Sequence, residues 1–408
     1  MILNFNNILV CLTMFFSLFS TLFFLTTFIE NDHECDKKTR NQKYPKISVI
    51  IPAYNEGENI IRTIKSVLKA KYPRNKLEII VVDDESEDDT FKQAKKVKSK
   101  VLKVFSKKHG GKAEAVNYGI KKSKGDLVMI LDADTFPDKN CFENIIGCFN
   151  DPKVMAALPL QKIWRPKNLL EKCQAIEYII TAIIKKSSSF MGSMNCAPAG
   201  AFVRKKFLKK YGLFETDTLT EDFEMGMRIQ SKHYQIIQSL KSKVYTVPPK
   251  NLKSLIRQRV RWSFGGLENI FKYKHMLSPD YGDLGVFFLP VTLFSISFVS
   301  FLFLYFSIRL VFDLIHNIYL SSLINFDIFP LLNFNIELSL SHLLTDEKTL
   351  LIMFSFLTAL LLYEIARRNV NEKFRLGYVF YLLIYGWAMG ISQVIALVHF
   401  ITRKKPGW

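Results

Sequence analysis

The chain has six cysteines but no C-x-x-C pair, and with seven dispersed histidines they spell no zinc signature. Cysteines in that pattern read as reduced thiols filling core space, with Cys35 in a linker. No Walker A sequence and no G-x-G-x-x-G fingerprint occurs, so nucleoside triphosphate hydrolysis and dinucleotide redox chemistry have no support. No lysine or arginine precedes the first apolar run and no small-residue cleavage site follows it, which argues against a secretory signal peptide. Acidic residues are scarce, 37 against 56 Lys and Arg, giving a formal charge of +19. That excess points to anionic partners: nucleic acid, acidic lipid or a phosphorylated substrate.

Apolar residues are abundant, with 49% hydrophobic content and 35 Phe, and the excess is concentrated at the two ends. Residues 8–29 form an uncharged run long enough to span a bilayer as a helix. Lys37, Lys38, Arg40, Lys43 and Lys46 follow it, so the positive-inside rule places the N-terminus outside and the next region in the cytosol. Further spans are expected at 284–308, 349–366 and 377–401, making four. The 309–348 connection is poor in Lys and Arg internally and fits outside; Arg367, Arg368, Lys373 and Arg375 fit inside. Four spans leave Arg403-Lys404-Lys405 outside, against the rule, whereas a fifth within 310–332 would expose the 367–375 loop. The expectation is a multi-pass plasma-membrane protein with an anchor and linker (1–45), a cytosolic domain (46–248), an amphipathic interface segment (249–283) and a C-terminal transmembrane region (284–408).

In the cytosolic region the period changes. Strands are expected at 47–51, ending at Pro52, and at 77–82, 101–105 and 127–131, with helices around 60–68, 87–97 and 112–122 between them. Such alternation predicts an α/β fold: a doubly wound, mostly parallel sheet with helices on both faces. Ligands of such sheets bind beyond the carboxyl ends of the strands, where Asp83-Asp84 and Asp132-Ala133-Asp134 fall. Two carboxylates one residue apart at a strand exit can turn toward one Mg²⁺ or Mn²⁺ shared with a diphosphate. A lone D-x-D is a weak signal, because acidic loops are usually just solvated. Asp83 and Asp84 can accept from a nucleoside, or act as helix N-terminal charges. His109-Gly110-Gly111-Lys112 opens a helix with free N–H groups and an ammonium, suited to phosphate or a base. The small residues of 195–202 would let an extended ligand approach the backbone. In Thr220-Glu221-Asp222 the adjacent carboxylates can cap a helix, or Asp222 can serve as a general base.

Residues 249–274 read as a basic amphipathic helix with Leu252, Leu255, Ile256 and Val260 in one stripe, suited to the membrane–water interface, until Gly265 and Gly266 break the period. Gln258-Arg259-Val260-Arg261-Trp262 joins two guanidinium groups that can grip phosphate to an indole on which a sugar ring can stack. Alone it reads equally as a juxtamembrane anchor.

Six stretches then occur in a telling order: Ile51-Pro52-Ala53-Tyr54-Asn55-Glu56, Val82-Asp83-Asp84-Glu85-Ser86, Gly111-Lys112-Ala113, Asp132-Ala133-Asp134, Thr220-Glu221-Asp222 and Gln258–Trp262. In this the chain resembles membrane-embedded family 2 glycosyltransferases, the processive group that makes cellulose, chitin, hyaluronan and poly-N-acetylglucosamine. The resemblance implies a GT-A fold and inverting transfer from a UDP-sugar, UDP-GlcNAc or UDP-Glc, onto a growing β-linked polysaccharide. It assigns Tyr54, Glu56, Asp83, Asp84, Lys112 and Asp132 to the donor nucleotide. Asp134 and Asp132 would serve Mg²⁺ or Mn²⁺, with Asp134 the more direct ligand. Asp222, with Glu221 beside it, would take the acceptor proton. Gln258, Arg259, Arg261 and Trp262 would hold the leaving diphosphate and the acceptor. Glu85 departs from the pattern, standing where a glycine or other small residue is common, and four spans are few for a polymer channel. Expected partners are the UDP-sugar, a polysaccharide or lipid acceptor and the membrane, with accessory subunits or a homo-oligomer and no nucleic acid. The rivals are single-sugar transfer to a polyprenyl phosphate or other lipid, and a non-enzymatic basic membrane scaffold, which leaves the acidic strand ends unexplained.

Overall fold

The computed structural model describes residues 5–31, 44–323, 347–373 and 377–407. Lys37, Lys38, Arg40, Lys43, Cys35, Arg375 and residues 324–346 of the expected outer connection lie outside them. No described cysteine forms a disulfide.

β1 (Ile47–Ala53) and β2 (Leu77–Asp83) are apolar and β-branched with little alternation, as strands covered on both faces must be. With β3 (Leu102–Ser106) and β4 (Leu127–Ile130) they form a parallel block in the order β3-β2-β1-β4. Pro52 lies inside β1 and does not end it. The carbonyl of Ile50 accepts from Leu131 on the β4 side, and that of Ala53 accepts from Asp84 on the β2 side. Pro52 therefore faces β4 beyond the last paired residue, Ile50, and its missing N–H breaks no ladder bond.

Alternate residues of β1 and β2 feed two cores. Val49, Ile51, Ile79 and Val81 pack with Ile60, Ile64 and Val67 of α2 (Ile60–Leu68), Ala94 of α3 (Thr90–Lys96) and Phe142. Ile50, Ile80 and Val82 pack on the other face with Ala115, Val116 and Ile120 of α4 (Lys112–Lys122). After β5 (Thr135–Pro137) and α5 (Cys141–Ile145) comes β6 (Val154–Ile163), and α6 (Leu169–Phe190) leads to β7 (Phe202–Arg204). Then follow α7 (Lys205–Tyr211), α8 (Glu221–Ser231) and β8 (Gln235–Thr246). One sheet results, β3-β2-β1-β4-β7-β6-β8-β5, with β7 antiparallel to both neighbours and β5 antiparallel to β8. The expected mostly parallel sheet with helices on both faces is observed, with a mixed second half that alternation did not signal.

Helix α6 buries Ile176, Ile179 and Ile183 against Leu25 and Phe28 of α1 (Phe5–Asn31) and against Leu362, Tyr363 and Ala366. Helix α9 (Leu252–Lys272) runs unbroken through Gly265 and Gly266, contrary to expectation. Part of its apolar stripe packs on protein: Leu255 against Cys173 and Tyr385, and Val260 against Ala396, while Leu252 is exposed. Among the described residues two helices are long and apolar enough to cross a membrane, Asn7–Asn31 and Leu284–Leu323, the latter mostly α10 (Leu289–Leu323). Four were expected. The segment at 349–366 lies in α11 (Glu347–Asn369), where Glu364 pairs with Arg367 and Arg368. The segment at 377–401 is interrupted by a π-helical turn, Tyr381–Tyr385, which leaves α12 (Gly386–Ile401) with 16 residues.

Candidate active site

β2 and β4 flank β1, so their carboxyl ends open on one side of the sheet. Asp83 ends β2 and is buried; its Oδ2 accepts weakly from Ser86 N–H and the Ser106 hydroxyl, both at 3.4 Å. Its Oδ1 is buried with no hydrogen-bond partner, a costly state that a ligand N–H or hydroxyl would relieve. Tyr54 follows β1, is 45% exposed, and has its ring 4.8 Å from that of His109.

Asp84 is engaged within the fold. Its carboxylate accepts from Lys107 Nζ (2.9 Å) and from the backbone N–H groups of Gly110 (3.2 Å) and Gly111 (2.7 Å). It shapes the 107–111 loop, and N–H groups expected to meet phosphate are already engaged there. Glu85 adopts φ 63°, the left-handed region that favours glycine, and its carboxylate accepts from His109 N–H at 2.8 Å. Its negative charge thus braces the same loop.

Lys112, at the start of α4, is the hinge of the site: its Nζ lies 2.8 Å from Asp132 Oδ1 and 3.1 Å from Glu221 Oε1. Burial disfavours the ammonium, but Asp132, Glu221 and Asp222 together overcome that and hold Lys112 well above the usual lysine range. One cation therefore ties the exit of β4 to the start of α8. Glu221, expected beside Asp222 in proton transfer, is instead this cation's partner.

Asp134 accepts from the Thr135 hydroxyl at 3.1 Å. Burial, with Asp132 and Glu56 adding negative charge, pushes its carboxyl up to about 7. Glu56 is raised by burial and by Asp132 and Asp88, against a 2.9 Å bond from Asn59. A cation beside Asp134 would relieve this repulsion, so the residues fit one. Among the described residues no three His, Cys, Asp or Glu side chains cluster to hold a metal. The chain would supply one or two carboxylates, leaving other positions to water and phosphate, as Mg²⁺ sites commonly do.

Asp222 lies in the first turn of α8 and its Oδ1 accepts from Phe223 N–H at 2.8 Å. Burial first and Glu221 second raise its carboxyl, while Lys112 and the Phe223 N–H oppose. A raised carboxylate is a better proton acceptor.

Three residues that hold this loop escaped sequence reading. A Cβ on Gly226 would come within 2.5 Å of the Asn195 and Cys196 backbone, so α8 presses directly on the 195–202 stretch. A Cβ on Gly265 would collide with Thr220. Asn269 Nδ2 donates to the hydroxyls of Thr218 (3.2 Å) and Thr220 (3.1 Å). The paired glycines of α9 were the available signal, and they mark a close helix–loop approach. Gly265→Ala is expected to cost about 1–3 kcal/mol by overpacking. Gly266→Ala, whose Cβ would meet open space, should raise the unfolding temperature modestly, through about 0.5–1 kcal/mol of helix stabilisation.

The polar side chains of α9 divide. Arg257, Gln258 and Arg261 line a cavity of about 260 Å³ together with Leu219, Pro249 and Pro406, and Gln258 Oε1 is buried without a partner. Arg259 turns away, correcting the expectation that it meets the diphosphate: it is 5% exposed and its Nη2 donates to Glu177 Oε2 at 2.6 Å. Trp262 is 40% exposed, with the Arg259 guanidinium 4.2 Å from its ring centroid. Tyr178 of α6 connects the two regions. Burial pushes its hydroxyl up to about 12, Glu177, Asp134 and Asp132 add to this, and Arg259 opposes. The strand-end carboxylates and Arg259 thus both act on one side chain.

The architecture is that of the GT-A glycosyltransferases. A mannosyltransferase from Pyrobaculum calidifontis, solved in complex with GDP-Man and Mn²⁺, aligns with a TM-score of 0.57 over 97% of this chain and 99% of its own, at 18% identity, a likeness of fold. Residues 48–212 match the model of glycosyl transferase family 2. It is homologous to poly-beta-1,6-N-acetyl-D-glucosamine synthases: 33% identical to that of Staphylococcus epidermidis over 249 residues, 58% of each chain. To that of Staphylococcus aureus (strain COL) it is 34% identical over 232 residues, 55% of this chain and 56% of the relative. The chain thus spans somewhat more than half the length of the curated relatives it matches.

Proposed function

We propose that this protein is a membrane-bound inverting glycosyltransferase that moves N-acetylglucosamine from UDP-GlcNAc onto a growing β-linked polysaccharide. The observation that carries the reading is the pair of ion contacts from Lys112 to Asp132 and Glu221, which brings the donor-side and acceptor-side carboxylates to one point. The activity for which the staphylococcal relatives are named supports the choice of sugar and polymer.

Tyr54 and the unsatisfied Oδ1 of Asp83 hold the uridine, the first by stacking and the second by accepting from the base or ribose. Asp134, with Asp132 beside it, would hold Mg²⁺ or Mn²⁺, which when bound neutralises the diphosphate. Glu56 adds to the negative field that favours this ion. Lys112 and Arg261 stabilise charge on the departing UDP, and Trp262 offers its exposed face to the acceptor sugar. Asp222 takes the proton of the acceptor hydroxyl as its oxygen attacks C1. The C1–O bond to phosphate breaks, the electron pair leaves with UDP, and configuration inverts. One carboxylate suffices, because no covalent sugar intermediate forms. The two membrane-length helices would anchor the catalytic domain on the cytosolic side of the plasma membrane.

A second reading, transfer of one sugar to a polyprenyl phosphate or other lipid, would use the same strand-end carboxylates and membrane anchoring. To test the donor, purified full-length protein is given UDP-GlcNAc, UDP-Glc and GDP-Man separately, and nucleotide release is measured with Mn²⁺ and with EDTA. Release from UDP-GlcNAc alone, abolished by EDTA, is expected. Equal release from GDP-Man, or full release in EDTA, would overturn the assignment.

A further inference from the structure

The buried end of Arg259 has no role in the mechanism above, yet it carries a charge that the fold keeps out of water. Arg259 Nη2 donates to Glu177 Oε2 (2.6 Å), the Tyr385 hydroxyl donates to the same oxygen (2.8 Å), and Arg259 Nη2 also lies 3.4 Å from that hydroxyl. Three separate elements meet here: α6, α9 and the π-helical turn before α12. Arg259 Nε and Nη1 are buried with no hydrogen-bond partner. A guanidinium satisfied at one nitrogen is a poor stabiliser, since desolvation outweighs a single pairing, and apolar side chains of equal volume would serve packing as well. What the arrangement does provide is geometry. Arg259 and Trp262 are three residues apart on one helix, and the planar guanidinium covers the indole at 4.2 Å. The indole keeps 40% of its surface exposed, so it is held from one side and open on another.

We infer that Glu177 and Arg259 are positioning residues: Glu177, braced by Tyr385, holds the Arg259 guanidinium flat against Trp262 and so sets the indole as a rigid platform for the acceptor chain. This rests on the reading of Trp262 as the acceptor platform. A rigid stacking surface retains a sugar between additions better than a freely rotating one, because less side-chain freedom is lost when the ring docks. The pair therefore governs product length more than the chemistry of a single transfer.

The test uses full-length protein with Trp164→Phe, Trp387→Phe and Trp408→Phe, which leaves Trp262 as the sole indole. Acrylamide quenching of its fluorescence is compared with and without Glu177→Gln, which preserves shape and removes the charge. Tyr385→Phe serves as a milder second variant. The same glutamine variant in otherwise native protein is assayed for chain length and for UDP-GlcNAc KM. The expected results are stronger quenching and chains shortened roughly threefold to tenfold, the range that loss of a partly desolvated cation–π contact allows. Donor KM should stay unchanged, which a general loss of structure would not leave alone. Unchanged quenching overturns the positioning role. Stronger quenching with normal chain length overturns the link to product length. In that case Trp262→Ala decides where the fault lies: if it too leaves chain length unchanged, the platform reading fails rather than the Glu177–Arg259 brace.

Discussion

Asp222→Asn is expected to abolish sugar transfer while leaving UDP-GlcNAc binding intact. Removal of a positioned general base typically costs about 10²–10⁴-fold in rate, and no second carboxylate stands ready, because Glu221 is bonded to Lys112. The fold should tolerate the change. Asp222 Oδ1 accepts the Phe223 N–H, and an asparagine carbonyl oxygen can accept the same bond. The loss is therefore one of charge, read as polymer formation near zero with donor affinity unaltered in calorimetry. The pH dependence follows in sign. Only the deprotonated carboxylate accepts a proton, and burial together with Glu221 raises the Asp222 carboxyl above the ordinary aspartate value. Acidification should accordingly depress kcat at a higher pH than an unperturbed aspartate would. Normal turnover by Asp222→Asn would reduce the residue to a helix-terminal charge.

Asp134→Asn is expected to remove the divalent-ion dependence of donor binding. Loss of a direct carboxylate ligand should cost at least the ~10–100-fold in metal affinity typical of changes one layer further out. Mn²⁺ titration of UDP-GlcNAc binding would read this, and EDTA on the parent protein should reproduce it. Misfolding is separable from the specific effect. In EDTA the variant should unfold no earlier than the parent, because the substitution removes a buried carboxylate repelled by Asp132 and Glu56. Retained Mn²⁺ dependence would show that the ion sits elsewhere.

Local signals carried the first half of the domain. The unbroken β-branched runs of β1 and β2 and the helical period of α2 and α4 follow from side-chain pattern alone, and the strand-end carboxylates come with them. Pro52 misled because a proline inside a strand is harmless only when its neighbour strand has already ended, a fact about register. Side chains whose partners come from far along the chain were invisible. Arg259 looks like a phosphate ligand in α9 until Glu177, 82 residues earlier, claims it. Asp84 looks like a nucleotide ligand until the 107–111 loop folds back onto it. The apolar stripe of α9 suggested lipid because pattern does not distinguish acyl chains from Ala396 and Tyr385. Apolar run length marks four spans, of which two coincide with helices among the described residues that are long and apolar enough to cross a membrane; run length does not register the π-helical interruption at Tyr381–Tyr385.

The most direct test is the size of the product made by purified full-length protein from UDP-GlcNAc and Mn²⁺ with acceptor in excess. Chains many sugars long, formed while most acceptor remains unextended and degraded by a hydrolase specific for one β-linkage, are predicted. A lipid bearing a single sugar as the sole product would contradict the account.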